Sequence, residues 1–256
     1  MIVRPNGAET RLISQHDHAR MAGTLARRWS GGGRVPASPP ALCDAVFYAV
    51  DNHDVGWCDP DAVPRYDAET RYPLSFFGTT AEEAIDVWGE GIGFCAAFGP
   101  FSGYLVSAHF CGLAEAGMGG APSSELGHLR RFIDAERSRQ RGLLGEFSPE
   151  ETAAKEDMSL LLRTCDTLSL IACRAPEITP PEGAAHYLAR SGLRIRPVAG
   201  DGIEVAPWPF DVDRLEVKFP GLTLPGGPIR DAEGLEEALE RAEPALYVSR
   251  ITPMKA

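Results

Sequence analysis

The sequence predicts a mainly α-helical protein with a small β-rich unit at its C-terminal end. Three observations predict it. Apolar residues recur at three- and four-residue spacing through most of residues 17–174, the period of helices with one buried face. Beyond residue 190 the period drops to two, as in strands with one covered face. Pro176, Pro180 and Pro181 stand between the two regimes. The expected division is a helical core over 1–175, with β segments at its N-terminus, and a β-rich unit over 176–256. That unit packs on the core and is joined by the N-terminal β segments.

Taken in order, Met1–Arg4 and Arg11–Ser14 read as short strands around a turn at Pro5-Asn6-Gly7. A helix from about Asp17 to Trp29 follows. Its apolar face is Met21, Ala22, Leu25, Ala26 and Trp29, and Asp17 reads as its N-cap. Glycines 31–33 and prolines 36, 39 and 40 then break the chain. From Pro40 to Asn52 a second helix aligns Leu42, Ala45, Val46, Ala49 and Val50 on one face. Residues 56–80 have no period and read as a long irregular loop. Their aromatics (Trp57, Tyr66, Tyr72, Phe76, Phe77) favour an ordered course over the core.

Thr80 opens the next helix, with Glu82 and Glu83 in its first turn. Ser102–Ala116 reads as an apolar helix and Gly117–Pro122 as a turn. Glu125–Leu144 is a charged helix with Arg130, Arg131, Arg137, Arg139 and Arg141 mostly toward solvent. Pro149 starts a long helix ending near Arg174. Gly192–Val198, Gly202–Trp208, Leu215–Leu224 and Ala245–Ile251 alternate like strands, with a short helix at Ala232–Arg241. No internal repeat and no low-complexity tract interrupts this order.

The formal net charge of −11 argues against a general nucleic-acid or anionic-membrane surface, because both need basic patches. It leaves a small anionic substrate open, since a local metal ion outweighs a distant surface charge. The six cysteines form no C-x-x-C pair, and several sit in apolar segments. They read as buried, reduced thiols of a cytoplasmic protein. No charged start followed by an apolar run suggests a signal peptide, and no stretch approaches the ~20 apolar residues of a membrane span. The expected partner is a small-molecule substrate, not nucleic acid or membrane.

Candidate chemistry follows from the cost of burying His and Asp without a partner. His18 lies on the Met21, Ala22, Leu25 face of its helix. His53 shares the face of Val46, Ala49 and Val50, and Asp54 follows it at the helix end, just before Gly56. His109 sits in the apolar run Tyr104–Leu113, and Asp166 in Met158–Cys173, a helix apolar almost all round. Each has an ordinary reading too: a core imidazole bonded to backbone, a surface Asp, or an Asp166 paired with Arg163 or a His. One divalent ion would satisfy all of them together. Mixed N/O ligation suits iron, manganese, cobalt or zinc, and the absence of Cys ligands argues against a structural zinc site. For His109, three roles stay open: further ligand, general acid/base, or core His. Ser169 reads as a small packing residue, His16 as lying before the helix, exposed or locally bonded, and His128 and His186 as surface residues.

The order of these residues resembles the HD-domain superfamily. HDVGW (His53–Trp57) is similar to that superfamily's His-Asp-hydrophobic-Gly-Lys segment, and CDTLSL (Cys165–Leu170) to its closing Asp motif. Over nearly its full length the chain also resembles a family of uncharacterised bacterial proteins. The shared features are a MIVR-like first strand, QHDHA (Gln15–Ala19), HD-x-GW, an SxH helix (Ser107–His109), Asp-x-Leu-Ser-Leu and APWPF (Ala206–Phe210). The HD resemblance implies an HD-like helical core in which His18, His53, Asp54 and Asp166 hold one metal ion. Two positions depart from it. Trp57 stands where the superfamily often has Lys, and Arg20, read as a surface residue, is the nearest candidate to replace that charge. His109 alone is placed to extend the site toward a second ion.

The expected function is metal-dependent hydrolysis, of a small-molecule phosphate ester, with Asp54 and His109 managing the proton. The alternative enzyme is a di-iron oxygenase on the same scaffold, as in myo-inositol oxygenase, acting on a small organic substrate. A third reading is a metal-binding or regulatory protein without chemistry.

Overall fold

In the computed structural model, which describes residues 1–174, 188–198 and 200–255, each apolar stripe finds a partner. Helix α1 (Gln15–Arg27) buries His18, Ala19, Met21, Ala22, Leu25 and Ala26 against α2 (Cys43–Asn52) and α7 (Pro149–Arg174). Its N-cap is Ser14, not Asp17. The Ser14 Oγ accepts the Asp17 backbone N–H at 3.0 Å and donates to the Asp17 carboxylate at 2.6 Å. Asp17 therefore lies in the first turn, where a carboxylate also meets the helix dipole. His16 consequently lies inside the helix rather than before it.

Between α2 and the next long helix, residues 56–80 contain more structure than an aperiodic sequence suggests. Short turns of three to five residues have no hydrophobic period to read. A 3-10 turn at Val55–Trp57, helix α3 (Cys58–Ala62), a two-stranded ribbon of β3 (Tyr66–Asp67) and β4 (Tyr72–Pro73), and a second 3-10 turn at Phe76–Gly78 fill the segment. The ordered course over the core is as expected, with Trp57 buried.

Helix α4 (Ala81–Phe98) starts in a capping box between Thr80 and Glu83. Helix α5 (Pro100–Gly117) is buried without interruption from Phe101 to Gly112, as a central helix must be. It packs on α2, α4, α7 and α6 (Leu126–Leu143). The five arginines named for α6 are exposed.

The two ends of the chain make one six-stranded sheet. Strands β1 (Ile2–Asn6) and β2 (Glu9–Ile13) join β5 (Arg194–Val198), β6 (Gly202–Ala206), β7 (Leu215–Pro225) and β8 (Glu243–Pro253) in the order β1-β2-β7-β8-β6-β5. Only β6 and β8 run parallel; the other pairs are antiparallel. The first turn falls at Gly7-Ala8, with Gly7 at φ +66°, so Pro5 and Asn6 lie within β1. Proline is tolerated there because β1 is an edge strand. Alternate residues feed two cores. Ile2, Ile13, Val217 and Phe219 face the helices. Met1, Leu12 and Leu224 pack with Leu235 and Ala238 of α8 (Ala232–Glu240).

Helices α1 and α7 lie between this sheet and the α2/α5 layer. The fold is mainly α with a mixed sheet. The expected boundary after residue 175 falls at residues 175–187, outside the described residues, as does His186. Among the described residues, no helix is long and apolar enough to cross a membrane. All six cysteines are free, and four are buried.

Candidate metal centre

Three helices deliver four ligating atoms to one point. His18 comes from the buried face of α1 and Asp166 from the middle of α7. His53 and Asp54 come from the end of α2. His53 keeps helical backbone angles (φ −57°, ψ −35°), whereas Asp54 leaves the helix at φ −100°, ψ 19°. That break turns two consecutive side chains toward the same centre. Two glycines let α4 press on this turn. A Cβ on Gly91 would stand 2.4 Å from the His53 carbonyl oxygen, and one on Gly56 would stand 2.2 Å from that of Val87.

The ligating atoms of His18, His53, Asp54 and Asp166 all lie within 4.8 Å of one another. His18 Nε2 is 3.2 Å from both Asp54 Oδ2 and Asp166 Oδ1, and His53 Nε2 is 3.4 Å from the same two oxygens. The His53 imidazole is fully buried, and the His18 and Asp54 side chains nearly so. The proton positions follow from outer partners. His53 Nδ1 lies 2.8 Å from the Val50 carbonyl, to which it can only donate. The Ser169 hydroxyl donates to the Asp166 carbonyl at 2.8 Å, and therefore accepts from His18 Nδ1, also at 2.8 Å. Both imidazoles thus commit Nδ1 outward and turn Nε2 toward two carboxylate oxygens, and His53 Nε2 has no hydrogen-bond partner among the described residues.

Four acceptors facing one another need a cation. Imidazole-to-carboxylate separations of 3.2–3.4 Å are in the range of donors that share one divalent ion. The buried cluster could therefore bind a metal ion, and its N/O donor set fits a divalent one.

The same field draws protons. Burial pushes the His18 pKa down, but hydrogen bonds to Asp166 and Asp54 outweigh it and bring it up to about 9. His53 is raised too, by the charge of Asp54 and its contact with Asp166, against the opposing effect of burial. Burial alone would raise both carboxyls; the neighbouring imidazoles instead hold Asp54 and Asp166 below the usual carboxylate range.

His109 lies at the edge of this group and not within the four-atom cluster. Its Nε2 is 3.9 Å from Asp166 Oδ2, the oxygen turned away from the other imidazoles, and its ring centroid is 5.1 Å from that of His53. Burial pushes its pKa down to about 3, so the imidazole is neutral, and its buried Nδ1 has no protein partner. Arg163, a candidate partner for Asp166 in the sequence, instead donates to the Ala108 carbonyl. Arg20 is exposed, and His128 is half-buried rather than exposed.

A cavity of about 470 Å³ opens over the cluster. His18, Asp54, His109 and Asp166 line it together with Gln15, Trp57, Phe76, Phe77, Trp88, Phe110, Leu113 and Glu125. No Lys or Arg is among its described lining residues. The Arg174 guanidinium sits over the Phe77 ring, 5.0 Å from its centroid, and does not line the cavity.

Two residues of the site escaped the sequence reading. Ser169 reads there as packing, yet it orients His18. Gln15 carries no charge to attract notice, yet it lines the cavity. A positional signal existed for both. Ser169 follows Asp166 by three residues and Gln15 precedes His18 by three, so each shares its neighbour's helical face.

A family model described as "Protein of unknown function (DUF3891)" matches residues 1–226. No curated protein and no solved structure matched the chain significantly.

Proposed function

Since the chain belongs to this DUF3891 family, we propose its activity from the site alone: metal-dependent hydrolysis of a small molecule, of the HD-domain type. The observation that carries this reading is the convergence of two imidazoles of fixed tautomer and two carboxylates beneath an open, mostly apolar cavity. A structural metal site is closed by its ligands, whereas a catalytic one keeps a face for substrate.

His18, His53, Asp54 and Asp166 would hold the ion. When bound, a divalent ion supplies Lewis acidity and acidifies a water molecule. Ser169 and the Val50 carbonyl hold the two Nδ1 protons, so Nε2 is the ligating atom of each imidazole once the ion has replaced the proton that the carboxylates otherwise draw there. Proton transfer falls to Asp54 and His109 at the cavity floor. Burial keeps the His109 imidazole neutral, so its ring nitrogens can orient a water molecule at the cavity floor rather than hold a charge there. Trp57, Trp88 and Phe110 exclude bulk water from the centre. The HD resemblance implies a phosphate ester as substrate; hydrolysis as such does not depend on that class.

One observation favours a second reading. His109 Nε2 faces the outer oxygen of Asp166, which sets a fifth donor beside the cluster and suits a second ion, as a di-iron oxygenase would need. Elemental analysis of protein purified without chelator separates the readings. One ion per chain is expected, with hydrolysis of an ester, amide or phosphate panel restored by manganese, cobalt or zinc after chelation and lost in His53→Ala. Two irons per chain without hydrolysis would establish the oxygenase instead. No metal, with His53→Ala as stable as the parent, would leave a protein that keeps the scaffold without chemistry.

A further inference from the structure

We infer that the substrate of this centre is a carboxamide or carboxylic ester with an uncharged aromatic or apolar body, and not a phosphate monoester. The inference rests on the hydrolase reading above and adds the class of bond and body.

Charge comes first. A divalent ion held by the Asp54 and Asp166 carboxylates makes a centre of no net charge. Glu125 adds a carboxylate to the cavity lining. A phosphate monoester carries about −1.5 to −2 at neutral pH. Sites that take such groups surround them with Arg, Lys or helix N-termini as well as metal. No Lys or Arg is among the described lining residues here, helix N-termini that reach the lining already carry carboxylates (among them Glu83 in the capping box at Thr80, and Glu125 at the start of α6), and Trp57 occupies the position where the HD pattern often has Lys. An uncharged acyl group asks only for polarisation of its carbonyl, which the ion alone can give.

The shape of the lining agrees. Trp57, Phe76, Phe77, Trp88, Phe110 and Leu113 give the cavity apolar walls. Such walls favour a ring or alkyl body over a sugar or nucleotide, whose hydroxyls would lose water without replacement.

The third observation is Gln15. It is 3 % exposed, it lines the cavity, and its side-chain oxygen has no hydrogen-bond partner in the protein. Its backbone N–H is already committed to Asp61, at 2.6 Å, which anchors the residue. A buried amide without a partner is costly to keep. An amide N–H on the substrate would satisfy it, and so favours the carboxamide over the ester within the acyl class. In the reaction, the water oxygen bonds to the acyl carbon and the C–N or C–O bond breaks. One water proton goes to the leaving nitrogen or oxygen, and the other leaves the new carboxylic acid for solvent.

Acetanilide and phenyl phosphate test this, because they share a ring and differ in the head group. Trp57 and Trp88 both line the cavity, so quenching of tryptophan fluorescence in the metal-loaded protein reports occupancy without turnover. Acetanilide should bind about tenfold more tightly than phenyl phosphate. Gln15→Leu should weaken acetanilide about threefold or more and leave both phenyl phosphate binding and metal content unchanged. Equal affinities, or preference for phenyl phosphate, would overturn the inference; so would an acetanilide affinity indifferent to Gln15→Leu. Turnover is read separately, on 4-nitrophenyl acetate, 4-nitroacetanilide and 4-nitrophenyl phosphate. The binding preference with none of the three hydrolysed would defeat the hydrolase reading and leave the ligand class standing.

Discussion

Ser169 shows how one hydroxyl can decide the state of a metal ligand. Its proton goes to the Asp166 carbonyl, so its lone pair is left for His18 Nδ1–H. Ser169→Ala removes that acceptor and strands a buried N–H. Metal affinity should fall about 10- to 100-fold, as for outer-shell partners elsewhere, in a protein that still folds. A competition titration with a chromogenic chelator measures it, and an unchanged affinity would show that the tautomer is held by other means. The four cluster residues were legible in the sequence because ionisable groups on apolar faces need a partner. Ser169 and Gln15 were not, because neither carries a charge whose burial by itself demands a partner. The choice between Asp17 and Ser14 as N-cap was equally hidden, since both are good caps and lie within one turn.

At the scale of elements, the close contact between α4 and the end of α2 sets where His53 and Asp54 point. Gly91 allows α4 to approach the His53 carbonyl, and an added methyl would meet backbone, which cannot yield as a flexible side chain can. Gly91→Ala should therefore cost about 1–3 kcal/mol of stability, the usual range for overpacking. It should also lower metal occupancy by shifting His53. Denaturant midpoints and metal content of the purified variant check both effects; normal values for both would mean that α4 moves freely. Long elements were well marked in the sequence: Thr80 with Glu83, Pro149, and the apolar helix from Ser102. The short pieces within 56–80 were not, because three to five residues carry no period and their form is set by what Trp57 and Phe76 pack against.

For the whole molecule, the decisive element is β8. It pairs with β7 on one side and β6 on the other, and so joins the β5/β6 hairpin to the rest of the sheet. The family match ends at residue 226, before β8 begins. A fragment ending there should lose cooperative thermal unfolding and expose the sheet face on which α1 and α7 rest. Calorimetry of the fragment beside the full chain tests this, and a single transition at the parent temperature would contradict it. Alternation in the sequence identified the strands, and the expectation that the N-terminal segments join the C-terminal ones matches the sheet. Strand order and the parallel β6/β8 pair were out of reach, because a period of two tells which face is buried but not which strand lies alongside.

That closure by both ends of the chain imposes a timetable. A chain emerging from the ribosome at about 5–20 residues per second delivers all four ligands by residue 166, and then needs on the order of several seconds more to reach β8. Until β7 emerges within that interval the β1/β2 hairpin has no neighbour, and its inner edge stays open to pairing with other nascent chains. The parts of the metal centre are thus assembled early in synthesis, and the sheet that supports them is completed last.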